Sequence, residues 1–149
     1  MSHAPRRRSF ASLAFAASLS ALLSSACSAA ATRPPPPKVA AINAAPGAMV
    51  DIEAELARGY VTIVDFWAEY CAACKTVEAE LMAAIADEPS IVVRKVDVGP
   101  GDSEVARAYG LGGLPHLRIF DRRGRLRYQL VGQDARQAGE AARQLSREE

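Results

Sequence analysis

Residues Val64–Lys75 have the sequence VDFWAEYCAACK, and this stretch is the most informative one for predicting the fold of the chain. The run Val61–Trp67 that leads into them is β-branched, aromatic and almost continuously apolar, which is typical of a strand buried on both faces. From Cys71 to Asp87 apolar residues recur with helical periodicity, and Pro89 ends that pattern. The two cysteines of the stretch are therefore predicted to lie at the start of a helix that directly follows a central strand.

This position favours a reactive pair of thiols. At a helix N-terminus the first N–H groups lack partners and the dipole is positive, and both effects stabilise the nucleophilic thiolate. Cys71 comes first and is expected to be the more exposed, attacking sulfur, whereas Cys74, one turn further on, can resolve a mixed disulfide. Two other interpretations stay open. The pair could be half of a zinc site, for which His116 is the one further cysteine or histidine that remains after removal of the signal segment. It could also be a structural disulfide that closes a very small loop.

Two carboxylates accompany the cysteines. Asp65 interrupts the apolar strand, where a charge is unfavourable unless it is paired or protonated. Glu78 falls on the same stripe of the helix as Cys71 and Cys74, on the side expected to face the core. A partly buried carboxyl with a raised pKa could oppose thiolate formation or pass a proton to Cys74. The alternative for Asp65 is a structural aspartate whose hydrogen bonds are satisfied. The alternative for Glu78 is a glutamate whose aliphatic stem lies along the edge of the core-facing stripe.

The rest of the pattern predicts an α/β fold with a mixed four-stranded sheet flanked by helices. Further helices are expected at 51–58, 102–109 and 134–145, and further strands at 91–98, 116–120 and 126–131.

Composition narrows the classes of function. The chain has 149 residues, 50% of them hydrophobic and 23% charged, which suits one globular domain. Its net charge of +1 gives no electrostatic footprint for nucleic acid. With two histidines and three cysteines, no metal site rich in these ligands is expected, and the chemistry predicted above needs no cofactor.

The first thirty residues have the organisation of a secretory signal peptide. Arg6–Arg8 form a basic start, and the uncharged apolar run Phe10–Leu23 is too short to span a bilayer. Cys27 stands where a lipobox would end, which predicts lipidation and a membrane anchor. The alternative is ordinary cleavage after Ala30 or Ala31. Residues 31–46, rich in alanine and proline, are interpreted as an extended linker, and 47–149 as the folded domain.

The stretch VDFWAEYCAACK resembles the active-site strand and helix of thioredoxin, and Gly113-Leu114-Pro115 resembles the cis-proline loop of that fold. Within the thioredoxin-like superfamily the chain looks most similar to the C-terminal periplasmic domains of the reductant conductor DsbD. The resemblance implies that Cys71 is the nucleophile and that Asp65 and Glu78 tune it. It also implies that Pro115 is cis and that Leu114 presents its backbone to an extended substrate.

The same resemblance implies that Trp67 and Tyr70 belong to the surface around the cysteines, although packing alone could also explain them. His116, which follows the proline, is interpreted as an edge residue, with titration near the dithiol as the alternative.

The predicted function is that of an exported, periplasmic thiol–disulfide oxidoreductase that reduces disulfides in proteins. Its partners would be disulfide-bearing protein substrates and a separate protein electron donor. One alternative keeps the chemistry and changes the client to apocytochrome c before haem attachment. An alternative of another class is a non-catalytic module that binds a metal ion or a client protein through the dithiol.

Overall fold

The computed structural model describes residues 34–148, and the predicted signal peptide and Cys27 lie outside these residues. In chain order, the strands and helices are β1 (Val39–Ala41), β2 (Val61–Trp67), α1 (Ala72–Ala84), β3 (Ile91–Asp97), α2 (Glu104–Ala108), β4 (His116–Phe120), β5 (Leu126–Val131), a 3₁₀ helix (Gly132–Gln137) and α3 (Ala138–Glu148). No helix within residues 34–148 is long and apolar enough to cross a membrane.

The strands form one mixed sheet in the order β1-β3-β2-β4-β5. Strands β1, β3 and β2 run parallel, and β4 and β5 are antiparallel to their neighbours. This is the α/β architecture that the sequence predicted, with helices on the sheet faces. The prediction of four strands was wrong by one, because the short edge strand β1 carries too weak a pattern to be recognised.

Strand β1 also corrects the predicted linker. Residues 39–41 pair with Val93–Lys95 of β3, so the fold begins well before Gly47. The Lys38 ammonium donates to the carbonyl of Ile85 at 2.8 Å and to that of Glu88 at 2.5 Å, at the C-terminal end of α1. These partners lie about fifty residues away in sequence, so an alanine- and proline-rich composition could not reveal them.

The segment 51–58 is a series of turns, and the predicted helix is absent there. Asp51 still acts as a cap, since its Oδ1 accepts the N–H groups of Glu53 and Ala54. Ile52 and Leu56 are buried against one face of the sheet. Tertiary packing of these two side chains stabilises the segment, which is too short to be a stable helix by itself.

Two hydrophobic clusters cover the two faces of the sheet. One joins Ile63 of β2 to Val77 and Leu81 of α1 and to α3. The other joins Val64 and Phe66 of β2 to the 52–56 segment and α2. Because side chains alternate along a strand, Asp65 lies on the face that α1 covers.

The helices differ slightly from the prediction. Helix α1 ends at Ala84, and the predicted helix 134–145 is a 3₁₀ helix followed by α3. Gly139 of α3 lies against α1, and a Cβ built on it would be 2.5 Å from the Cβ of Ala84. Only glycine therefore permits this close approach of the two helices.

Candidate active site

The two cysteines form a disulfide at the N-terminus of α1, with their Cα atoms 5.3 Å apart. Cys71 is the N-cap residue, and its sulfur accepts the N–H of Cys74 at 3.1 Å. Cys74 is 3% exposed, whereas Cys71 is only half-buried. The expected difference in exposure is therefore confirmed, and only Cys71 is accessible enough for attack on another polypeptide.

The loop that precedes β4 lies beside this disulfide. The Leu114–Pro115 peptide bond is cis, in agreement with the prediction. Leu114 and Cys71 line a common cavity of about 370 Å³, here named the Tyr70 cavity, together with Tyr70, Leu111 and Gly113. Tyr70 is 67% exposed at its rim. An extended chain docked along this loop would thus meet the accessible sulfur.

Asp65 is 3% exposed within β2. Burial raises the pKa of Asp65 to about 7, the positive charge of Lys95 opposes this rise, and the negative charge of Glu78 adds to it. The carboxyl can therefore gain or lose a proton near neutral pH, as a group that exchanges protons with thiols must.

Glu78 reaches the same place from α1. Its Oε1 lies 2.5 Å from the Nζ of Lys95, and both side chains are largely buried, with 34% and 16% of their surface exposed. Lys95 also lies 4.4 Å from the centroid of the Trp67 ring, over its face. The structure thus brings together Asp65, Glu78 and Trp67 around one ammonium group.

Lys95 was not among the residues predicted for the site. Its signal in the sequence is a cation within the apolar strand IVVRKVD, which parallels the aspartate in VTIVDFW. Only the register of the two strands, which aligns Lys95 with Asp65, shows that the two charges belong together.

His116 is not the edge residue that was expected. Strand β4 lies between β2 and β5, and His116 is 1% exposed, with neither ring nitrogen hydrogen-bonded to any residue that the structure describes. Its ring meets Phe66 edge-on at 5.7 Å between centroids, on the face opposite α1. Burial lowers the pKa of His116, and the charge of Arg118 lowers it further. The ring therefore stays neutral at physiological pH.

Within the part of the chain that the structure describes, no three His, Cys, Asp or Glu side chains converge in a way that could hold a metal ion. A cysteine pair at a helix start, a buried carboxyl and a neighbouring cis-proline define the class of thiol–disulfide oxidoreductases with a redox-active disulfide.

Comparison with known proteins identifies the family. Residues 51–143 match the family model Thioredoxin, and the chain belongs to this family. It is 31% identical to thioredoxin of Mycoplasma pneumoniae over 70 residues, which are 47% of this chain and 67% of that protein. It is 28% identical to the chloroplastic thioredoxin-like protein HCF164 of Arabidopsis thaliana over 88 residues, 57% of this chain and only 33% of that protein.

Solved structures share the fold. Thioredoxin O1 of Arabidopsis thaliana in its oxidized state superimposes with a TM-score of 0.51 at 21% identity, covering 59% of this chain and 79% of that one.

Proposed function

We propose that this protein is an exported reductase of protein disulfides that acts in the periplasm. The observation that carries the proposal is the Cys71–Cys74 pair, whose accessible sulfur lies beside the cavity and the cis-proline loop. A structural disulfide has no need of an accessible sulfur beside such a loop.

The reduced form would act in two displacements. The thiolate of Cys71 attacks one sulfur of a client disulfide, that bond breaks, and the leaving client thiolate takes up a proton. The thiolate of Cys74 then attacks the Cys71 sulfur of this mixed disulfide and releases the second client thiol. The client gains two electrons and two protons, and the protein holds the disulfide seen here. A separate protein dithiol would return the two electrons.

Asp65 is proposed to accept the proton that Cys74 must lose before the second displacement. The buried carboxyl has a pKa of about 7, so that it can hold a proton or release it near the pH of the periplasm. Glu78 and Lys95 would set that pKa, since the first raises it and the second lowers it.

The reducing direction rests on the resemblance to the C-terminal domains of DsbD. In those domains, as here, the cysteines enclose small apolar residues in place of Gly-Pro, Lys75 and Glu78 have counterparts, and a leucine precedes the cis-proline. The equilibrium of the Cys71–Cys74 pair against glutathione tests this direction. A strongly reducing potential is expected, and a pair that stays reduced in excess oxidised glutathione would contradict it.

Export rests on the basic and apolar segments of residues 1–30, and anchoring rests on Cys27. The expected result is that the protein is recovered from periplasm or envelope and incorporates labelled fatty acid. A Cys27→Ala variant should lose the label. Recovery of unprocessed protein from the cytoplasm would contradict export, whereas export without label would contradict the lipid anchor alone.

Reduction of insulin by dithiothreitol tests the chemistry. The wild-type protein should accelerate it, and Cys71→Ser and Cys74→Ser variants should not. A Cys74→Ala variant should accumulate mixed disulfides with its clients, because the resolving thiol is absent. Equal rates for the wild-type protein and both serine variants would end the proposal.

A further inference from the structure

A second cavity lies on the other side of Leu114 and differs in character from the Tyr70 cavity. Its volume is about 360 Å³, and Leu114 lines both cavities. We name it the Arg136 cavity, because Arg136 is the one charged residue among the described residues that line it, with Ala73, Pro115 and Gly132 among the others. A client chain docked along Leu114 would therefore pass between two unlike cavities.

Arg136 is held in place at this cavity. Its Nε donates to Oε2 of Glu80 at 2.9 Å, and its Nη2 donates to Oε1 of the same carboxylate. Glu80 belongs to α1, and Arg136 to the 3₁₀ helix that follows β5. The two-point contact orients the planar guanidinium, although 56% of the side chain remains exposed.

The other edge of the guanidinium is available. Its Nη1 makes no hydrogen bond with any residue in the described range 34–148. Glu80 uses one of the two N–H groups on Nη2, so Nη1 and Nη2 together still offer a fork for a second carboxylate. Both oxygens of Glu80 are already engaged by Arg136, which leaves this carboxylate poorly placed to attract a cationic client.

The cavity also lies beside the loop that the disulfide closes. Ala73, between the two cysteines, lines its wall, and the N–H of Gly132 donates to the carbonyl of Pro115 at 2.9 Å. A Cβ built on Gly132 would meet no atom of residues 34–148 within 4 Å, so these residues leave the space above Gly132 open. A side chain near the attacked cysteine of a client could enter here.

We propose that Arg136 determines specificity by binding the carboxylate of an acidic residue close to the client disulfide. This inference rests on the proposed function and names its class of substrate: protein disulfides flanked by Asp or Glu. Arg136 itself takes no part in the sulfur chemistry.

The test uses peptides with one disulfide and with Glu, Gln or Lys placed in turn at each of the two residues on either side of the attacked cysteine. The wild-type protein is reduced, freed of reductant, and mixed with each peptide to measure the second-order rate constant of the single reduction that the dithiol can carry out. At one position at least, the Glu peptide should be reduced about fivefold faster than the Gln peptide at low salt, and high salt should diminish this ratio.

An Arg136→Gln variant should lose the preference for Glu over Gln. The matched control is Arg147→Gln, which removes an arginine of α3 that is paired with Glu140 and lies outside the cavity, and it should retain the preference. Equal rates for Glu and Gln peptides, a preference for Lys, or a preference that survives in Arg136→Gln would overturn this inference alone. Failure to reduce any of the peptides would overturn the proposed function and the inference with it.

Discussion

Asp65 and Lys95 lie opposite each other on the adjacent parallel strands β2 and β3, and the ammonium of Lys95 is bound by Glu78 of α1. Lys95 thus forms an ion pair with Glu78, while its positive charge also acts on the carboxyl of Asp65. The charge of Lys95 offsets only part of the effect of burial on Asp65, and the charge of Glu78 adds to that effect, so that the pKa of Asp65 stays near 7. This arrangement leads to the first predictions.

Asp65→Asn should stabilise the protein at alkaline pH and slow its catalysis. The folded-state pKa of Asp65, about 7, exceeds the ordinary value of 3.8 in the unfolded chain. The stability that the protonated Asp65 contributes is thus fully present below pH 3.8 and is lost as the pH rises through about 7. At pH 8 the variant should gain about 3–4 kcal/mol in the free energy of unfolding, and at pH 4 almost nothing. Urea denaturation at the two values measures this difference.

The same substitution should lower the rate of insulin reduction about 100-fold, if Asp65 exchanges protons with the thiols. Equal stability gains at both pH values would show that folding leaves the pKa of Asp65 unchanged, which would contradict the raised value. An unchanged rate would remove Asp65 from the mechanism.

Asp121 provides a control, because its pKa is lowered in the folded protein whereas that of Asp65 is raised. Burial alone would raise the pKa of Asp121, but hydrogen bonds from Arg125 and from the backbone N–H of Arg123, together with the charge of Arg125, bring it down to about 2. Its stability contribution is present above 3.8 and lost as pH falls toward 2. Asp121→Asn should therefore destabilise the protein at pH 7 by about 1–3 kcal/mol, and this loss should vanish in acid.

Glu78→Gln should lower the pKa of the Cys71 thiol and that of Asp65. The substitution removes a neighbouring anion and releases Lys95 to face Asp65 alone. The ultraviolet absorbance of the thiolate, followed against pH, measures the first effect, and the pH dependence of the reduction rate measures the second. Glu140→Gln, which removes a glutamate of α3 that is paired with Arg143, should leave the titration of Cys71 unchanged. Superimposable curves for Glu78→Gln and the wild type would contradict a role for Glu78.

His116→Leu should make the protein less sensitive to acid. The pKa of His116 is lowered on folding, so its neutral form is favoured, and stability is lost as pH falls below the ordinary value of 6.5. Leucine also removes two buried nitrogens that lack hydrogen bonds. The difference in unfolding free energy between variant and wild type should widen in the variant's favour from pH 7.5 to pH 5. A constant difference would mean that His116 titrates normally.

Gly139→Ala should destabilise the contact between α1 and α3. The added Cβ would lie 2.5 Å from the Cβ of Ala84, so the two helices must separate, at a cost of about 1–3 kcal/mol. Gly112→Ala is the control, because a Cβ there meets nothing within 4 Å. The double variant Gly139→Ala, Ala84→Gly should recover most of the loss in thermal denaturation. If the single variant is as stable as the wild type, the helices are not in close contact.

Local sequence patterns were enough to predict the redox pair and the strand and helix that hold it. A strand, a tight connection and an N-capping cysteine are encoded within the twelve residues 64–75, where short-range hydrogen bonds and periodicity decide the structure. The same holds for the hairpin of β4 and β5 and for the helix capped by Ser103. In each case the interacting groups are near neighbours in the chain, so that residue type and spacing carry the information.

The groups around that pair are brought together by contacts between residues far apart in the chain. Lys95 meets Glu78 across 17 residues, Arg136 meets Glu80 across 56, and β1 joins the sheet through a strand more than fifty residues away. The register of strands and the packing of helices set these contacts, and neither can be read from local pattern. For that reason the sequence indicated which two sulfur atoms form the redox pair, while the fold determined which charged groups lie around Asp65 and which cavities Leu114 lines.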